Sequence, residues 1–94
     1  MQQLHRFLVE RDIPGVGSMT LVELCGAARA SNQAIGQLDS EIQWQHSYVS
    51  NDKTFCIYLA RDEATIRKHA ELSGIPVSRI DEIDRIIDPL TANH

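Results

Sequence analysis

The chain has 94 residues, 43% of them hydrophobic and 23% charged, and a formal net charge of −4. That length suits one domain, residues 1–94, and the acidic balance disfavours nucleic acid and anionic membrane surfaces, which proteins bind through Lys and Arg. No apolar run approaches the length of a membrane span, and Glu10, Arg11 and Asp12 interrupt the first one, so we expect no signal segment and a cytoplasmic location.

The first half of the chain predicts a strand, a helix and a hairpin. The strand is a short β-prone run that ends at Pro and Gly residues. Thr20 and Glu23 have the spacing of a capping box, which marks the start of a helix. Two runs rich in aromatic and β-branched residues follow, and the short turn between them predicts an antiparallel pair. These elements occupy residues 5–10, 20–38, 42–50 and 54–60.

The second half predicts one more helix and one more strand. Asp62 can cap a helix over 62–73, which Gly74 and Pro76 end. Alternating apolar and charged residues over 82–88 predict a final strand, although the isoleucines of this stretch also fit a helix.

The order strand-helix-strand-strand-helix-strand predicts an α+β fold of the ferredoxin-like kind, a β-α-β-β-α-β sandwich. Two helices would cover one face of an antiparallel sheet and leave the other face open. Large aromatic residues such as Trp44, Tyr48 and Tyr58 would make an uncovered face adhesive. A second copy of the same sheet is the economical cover, so we expect a sheet-mediated homodimer.

One strand concentrates side chains that suit chemistry. Trp44, His46 and Tyr48, here called the triplet, fall on one strand face if alternation is regular. An imidazole between two aromatic rings suits a metal ligand or a general base, or else a hydrogen bond inside a core or interface. Cys56 and Tyr58 share one face of the next strand. These five residues form the predicted ligand pocket.

A metal site is the second possibility. His69 lies on the inward side of the second helix, and Glu10 follows the apolar run of the first strand. Together with His46 they supply nitrogen and oxygen ligands that suit nickel, zinc, iron or manganese. Each also has a structural interpretation, as a hydrogen-bonded buried imidazole or a solvated carboxylate.

The hairpin loop decides which face carries the pocket. An even number of loop residues would place the triplet with Phe55, near the helices and His69. An odd number would place it with Cys56 and Tyr58 on the open side. The sequence leaves both alternatives open.

At these residues the chain resembles a family of small ferredoxin-like proteins that is catalogued as a domain of unknown function and described as nickel-binding. The resemblance spans residues 5 to 91. It implies a homodimer and nickel(II) as the bound metal. Its segments are Phe7–Gly15, Ile42–Val49, Phe55–Tyr58, Ile66–Ala70, Gly74–Pro76 and Ile87–Pro89.

Three functional hypotheses follow. The first is a homodimer that binds or sequesters a divalent metal, with nickel favoured by the resemblance. The second is a small-molecule-binding protein, or an enzyme of the dimeric α+β-barrel type, with its pocket around His46. The third is an interaction module with Trp44 and Tyr48 as interface anchors. Fold alone does not choose among them, and whether the chain is an enzyme stays open.

Overall fold

The computed structural model describes residues 3–38 and 41–94, and this part of the chain forms a four-stranded sheet and two α-helices. The elements follow the predicted order. Short 3-10 turns at Val16–Ser18 and Pro89–Asn93 accompany them. The bounds in chain order are β1 His5–Asp12, α1 Leu21–Gly36, β2 Ile42–Val49, β3 Lys53–Ala60, α2 Glu63–Ser73 and β4 Arg79–Ile83.

The sheet has the strand order β2-β3-β1-β4, and all neighbouring strands run antiparallel. Both helices pack against one of its faces and enclose the core there. This α+β arrangement is compatible with the predicted ferredoxin-like fold. Within the described ranges, neither helix is long and apolar enough to cross a membrane. The buried core cluster consists of Phe7, Val9, Ile42, Cys56, Tyr58, Ala60 and Ile66.

Local signals set the ends of both helices. The Thr20 side chain accepts a hydrogen bond from the Glu23 backbone, and the Glu23 carboxylate accepts one from the Thr20 backbone, which confirms the predicted capping box. Asp62 caps α2 by accepting from the backbone N–H of Thr65. Gly74 ends α2 with a φ of 72°, a left-handed conformation that glycine adopts without a steric cost.

The prediction of a final strand over 82–88 is wrong in position, because β4 spans Arg79–Ile83. β4 pairs with β1 in a register that ends at Arg6 opposite Ile83, one residue from the start of β1. Residues beyond 84 therefore extend past the strand that β4 pairs with. Their apolar spacing corresponds to no buried face, since Ile86 and Ile87 are exposed.

β3 turns Cys56 and Tyr58 toward the helices and Phe55 away from them. This follows from its register with β1, in which the buried residues Phe7 and Val9 lie opposite Tyr58 and Cys56. The alternative that placed the Phe55 face near the helices is therefore wrong, and so is the alternative that placed Cys56 and Tyr58 on the open side. We call the face away from the helices the open face. It carries Leu8, Glu10, His46, Tyr48, Phe55 and Ile57.

An irregularity in β2 overturns the prediction that the triplet shares one face. Trp44 lies opposite Tyr58, whereas His46 lies opposite Ile57, so Gln45 is an extra residue in this strand. A β-bulge of this kind shifts the alternation by one residue. Trp44 therefore points to the helix side, and the other two members of the triplet point to the open face.

Candidate functional site

A cleft of about 310 Å³ opens between the helix side of the sheet, α1 and the loop that follows α2. This volume is at the lower end of the roughly 300–1,000 Å³ that small-molecule sites occupy. Polar groups are few, and they include Arg11, Ser31 and Tyr58. The apolar walls include Val16, Met19, Leu24, Ala27, Ile75 and Pro76.

Arg11 is the charged residue of this cleft. It is only 2% exposed, because it lies two residues after Val9 on the helix side of β1. Its Nη1 donates to the carbonyl oxygens of Ile75 and Pro76, both at 3.0 Å, and its Nη2 donates to the Tyr58 hydroxyl at 3.2 Å. Among the described residues, no carboxylate forms an ion pair with it.

His69 is buried beside the cleft and bonded to α1. Its Nε2 lies 3.1 Å from Ser31 Oγ and 3.3 Å from the Ser31 carbonyl oxygen. A carbonyl oxygen only accepts, so Nε2 carries the proton, and Nδ1 keeps a lone pair with no partner in the described chain. Burial lowers the pKa of His69, and the positive charge of Arg11 lowers it further. The hydrogen bond to the Ser31 backbone acts in the opposite direction and raises the pKa. The imidazole is therefore neutral at pH 7.

Tyr58 joins these two buried groups. Its ring centroid lies 5.2 Å from that of His69, and its hydroxyl oxygen accepts from Arg11. Burial raises the pKa of Tyr58, as does Cys56, while Arg11 and Ser31 act in the opposite direction. Tyr58 is therefore a protonated phenol, and its O–H remains able to donate.

The cleft contains three of the five predicted pocket residues. Trp44, Cys56 and Tyr58 line it, whereas His46 and Tyr48 lie outside it on the open face. The Trp44 indole N–H donates to Ser47 Oγ at 2.9 Å, which fixes the ring against the cleft wall. The bulge at Gln45 thus divides the predicted pocket between two surfaces.

His46 and Tyr48 form a pair on the open face. The His46 Nε2 lies 3.1 Å from the Tyr48 hydroxyl, and the rings meet edge to face with centroids 5.1 Å apart. Both residues are exposed, Tyr48 by 61%. This imidazole is accessible to a ligand from solution, in contrast to that of His69.

Glu10 shares the open face but is two strands away from His46, level with Tyr48 and two residues along the strand from His46, a backbone separation of roughly 11–12 Å. Its carboxylate accepts from Lys53 Nζ at 3.3 Å, and the same Nζ lies 3.5 Å from Asp12. His69 lies on the other side of the sheet. Across residues 3–38 and 41–94, no three His, Cys, Asp or Glu side chains come together to hold a metal ion. One chain therefore does not assemble Glu10, His46 and His69 into one site.

Comparison with known proteins gives a family match over residues 7–83, to nickel-responsive proteins like SCO4226. The chain belongs to this family. The crystal structure of SCO4226 from Streptomyces coelicolor A3(2) matches with a TM-score of 0.69 and 19% sequence identity, over 87% of this chain and 99% of that one. At that identity the likeness shows the fold alone. No curated protein sequence matches significantly. The family resemblance found in the sequence is confirmed.

In this member of the nickel-responsive family, the matched range includes both the cleft and the open face. Sequence reasoning missed two cleft residues, Arg11 and Ser31. Arg11 follows Phe7 and Val9 at a period of two, so its phase marked it as a charged residue on a buried strand face. Ser31 was likewise a polar residue on the inward stripe of α1.

Proposed function

We propose that the protein binds nickel, or a similar divalent ion, as a homodimer with His46 as a ligand. The observation that carries this proposal is an exposed imidazole on the uncovered sheet face of a chain from the nickel-responsive family. Nickel(II) accepts imidazole and carboxylate ligands. The two free thiols, Cys25 and Cys56, fit a protein of the reducing cytoplasm.

The pairing of His46 with Tyr48 supports a role in metal binding. In the proposed state His46 Nε2–H donates to the Tyr48 hydroxyl oxygen, 3.1 Å away, and the Nδ1 lone pair faces the metal. A hydrogen bond from the other ring nitrogen is the usual way to fix the tautomer and orientation of a ligating imidazole. Tyr48 would thus be a positioning residue for His46.

A second copy supplies what one chain lacks. Within the described residues a single chain offers no three-ligand cluster, so further ligands must come from a partner or from water. The open face carries apolar side chains for an interface, including Phe55 and Ile57, and the carboxylate of Glu10. In the proposed dimer, Glu10 of one copy approaches His46 of the other. His69 has no part in this site.

Metal titration of tag-free protein tests the proposal, with nickel compared to zinc, copper and cobalt by calorimetry and bound-metal analysis. We expect stoichiometric nickel binding that is lost in His46→Ala and weakened in Glu10→Gln, because each change removes a ligand. His94→Ala is the control, since it removes an imidazole from the exposed C-terminal end. Unchanged nickel stoichiometry in His46→Ala would rule out this site.

The alternative of a pocket or enzyme site centred on His46 has less support. The imidazole lies outside the cleft, and the cleft is lined instead by Arg11, Trp44 and Tyr58. A small-molecule function would therefore use the helix side of the sheet, independently of a metal on the open face.

A further inference from the structure

The buried guanidinium of Arg11 is neutralised by no acid within the described chain. Its nearest sequence neighbours Glu10 and Asp12 point to the open face, where both lie within salt-bridge distance of Lys53. The acceptors that Arg11 contacts in residues 3–38 and 41–94 are neutral: the carbonyls of Ile75 and Pro76 and a phenol. A buried charge without a counter-charge is costly, so an anion that entered the cleft would find a strong partner.

Arg11 also has donors to spare. A guanidinium carries five N–H groups. In the described chain three of them are used, two by the carbonyls and one by Tyr58, which leaves two. Since the Tyr58 oxygen accepts from Arg11, the Tyr58 O–H is a further donor at the cleft wall. These groups together suit an oxygen anion with more than one acceptor atom.

The cleft defines the rest of the ligand. Among the described residues that line it, Arg11 is the one cation, and the surrounding walls are apolar, from Met19 and Leu24 on one side to Ile75 on the other. A single positive charge matches a single negative charge, and the walls match a hydrocarbon or aromatic body. We propose that this cleft binds a small apolar monocarboxylate, whose carboxylate pairs with Arg11 and whose body packs on Trp44.

A purely structural role for Arg11 makes a different prediction. Its two bonds to the carbonyls of Ile75 and Pro76 brace the loop after α2. A brace alone requires no ligand, and it gives no reason for an apolar cleft to open beside the charge. The two roles are separated by whether a carboxylate binds and whether the charge of Arg11 decides its affinity.

Trp44 provides the readout, because it is the sole tryptophan of the chain and lines the cleft. The 94-residue protein, with a metal chelator present, is titrated with hexanoate, 1-hexanol or inorganic phosphate while Trp44 emission is recorded. We expect hexanoate to give a saturable change and 1-hexanol to bind at least about tenfold more weakly, since it lacks the charge-assisted hydrogen bonds.

Three variants locate the binding. Arg11→Met removes the charge and keeps the stem, so we expect hexanoate affinity to fall at least about tenfold. Ala27→Phe leaves Arg11 intact and fills the cleft from α1, so the hexanoate response should disappear. Arg6→Met is the matched control, because it removes the same charge from the open face of the same strand.

Equal affinities for hexanoate and 1-hexanol, or full hexanoate binding by Arg11→Met, would overturn the proposal. Binding of phosphate in place of hexanoate would replace the monocarboxylate with a phosphate ligand. No response to any probe would leave Arg11 as a brace. If Arg11→Met does not fold, the Ala27→Phe result and the comparison of hexanoate with 1-hexanol decide whether the cleft binds a monocarboxylate. Each of these outcomes leaves nickel binding at His46 untouched, because the chelator removes metal from the assay.

Discussion

Two imidazoles in this chain lie in opposite surroundings. His46 is exposed to solvent, and its only described side-chain partner is Tyr48. His69 is 0% exposed, donates to Ser31 and leaves Nδ1 without a partner among the described residues. The first can reach a metal ion from solution. The second is held neutral by its surroundings, and its effect is on folding.

The burial of His69 predicts acid sensitivity of the fold. Its pKa in the folded state is below the ordinary value of 6.5, so unfolding takes up a proton. The free energy of unfolding should therefore begin to fall as the pH drops through 6.5, and go on falling until the pH passes the folded pKa. His69→Gln cannot titrate, so it should lack this part of the pH dependence. Urea unfolding from about pH 7.5 to about pH 5 measures it.

The comparison between the two proteins isolates His69 from the other titrating groups. His5, His46 and His94 are present in both, so their contributions cancel in the difference. The prediction would be contradicted if the free energies of unfolding of the natural protein and His69→Gln differed by the same amount at every pH. Such a constant difference would mean that only packing had changed.

At the scale of elements, the bulge in β2 determines what each face displays. Ile42 and Trp44 point to the core and the cleft, and after the extra residue Gln45 the alternation resumes with His46 on the open face. A regular strand would have carried Trp44 and His46 together. The separation of cleft and open face therefore depends on one exposed residue.

Two single-residue deletions test this account of β2. Deletion of Gln45 removes the bulge and leaves every other side chain on its present face, so we expect a cooperative fold with Trp44 emission unchanged. Deletion of Gln43, only two residues away, puts Ile42 out of phase with the core, where it is 2% exposed. The free energy of unfolding should fall by about as much as on removal of a buried Ile side chain, about 2–5 kcal/mol. Thermal and urea unfolding compare the two, and equal stability would refute the bulge assignment.

Signals confined to a few neighbouring residues were predictable. Thr20 with Glu23, Asp62, and Gly74 each fix a helix end through their own backbone hydrogen bonds or dihedral angles. Strand pairing is set by residues distant in the chain, and this is where prediction failed. The final strand ends at Ile83 because β1 begins at His5, which no local pattern of residues 82–88 encodes. The bulge and the burial of Arg11 likewise depend on β3 and on the loop after α2.

At the scale of the whole molecule, one sheet separates two surfaces of different character. On the helix side, a cleft with apolar walls encloses a few polar groups. The open face carries accessible imidazole, carboxylate and apolar side chains. The proposed carboxylate and metal sites thus have no side chain in common. Either can be removed by mutation without touching the other.

The proposed dimer predicts that a charge in the middle of the open face disrupts it. Ile57→Glu puts a carboxylate against the apolar surface of the second copy in the dimer. We therefore expect monomers in sedimentation experiments and weaker nickel binding in calorimetry. Leu21→Glu is the matched control, because Leu21 is 82% exposed on α1, away from this face. Dimers that persist in Ile57→Glu would place the interface elsewhere.

Gln45 also frees β2 from a constraint that regular strands carry. In a regular strand, a one-residue shift in register moves every inward side chain to the outer face and every outward side chain to the inner face. The inner and outer side chains of such a strand are therefore tied to one register. In β2 the register shift takes place at an exposed residue between Trp44 and His46, so the side chains before it and after it keep separate registers. Descendants of this sequence could therefore reshape the cleft wall for a new ligand while the outer imidazole stays in place, or change the outer face while the wall persists.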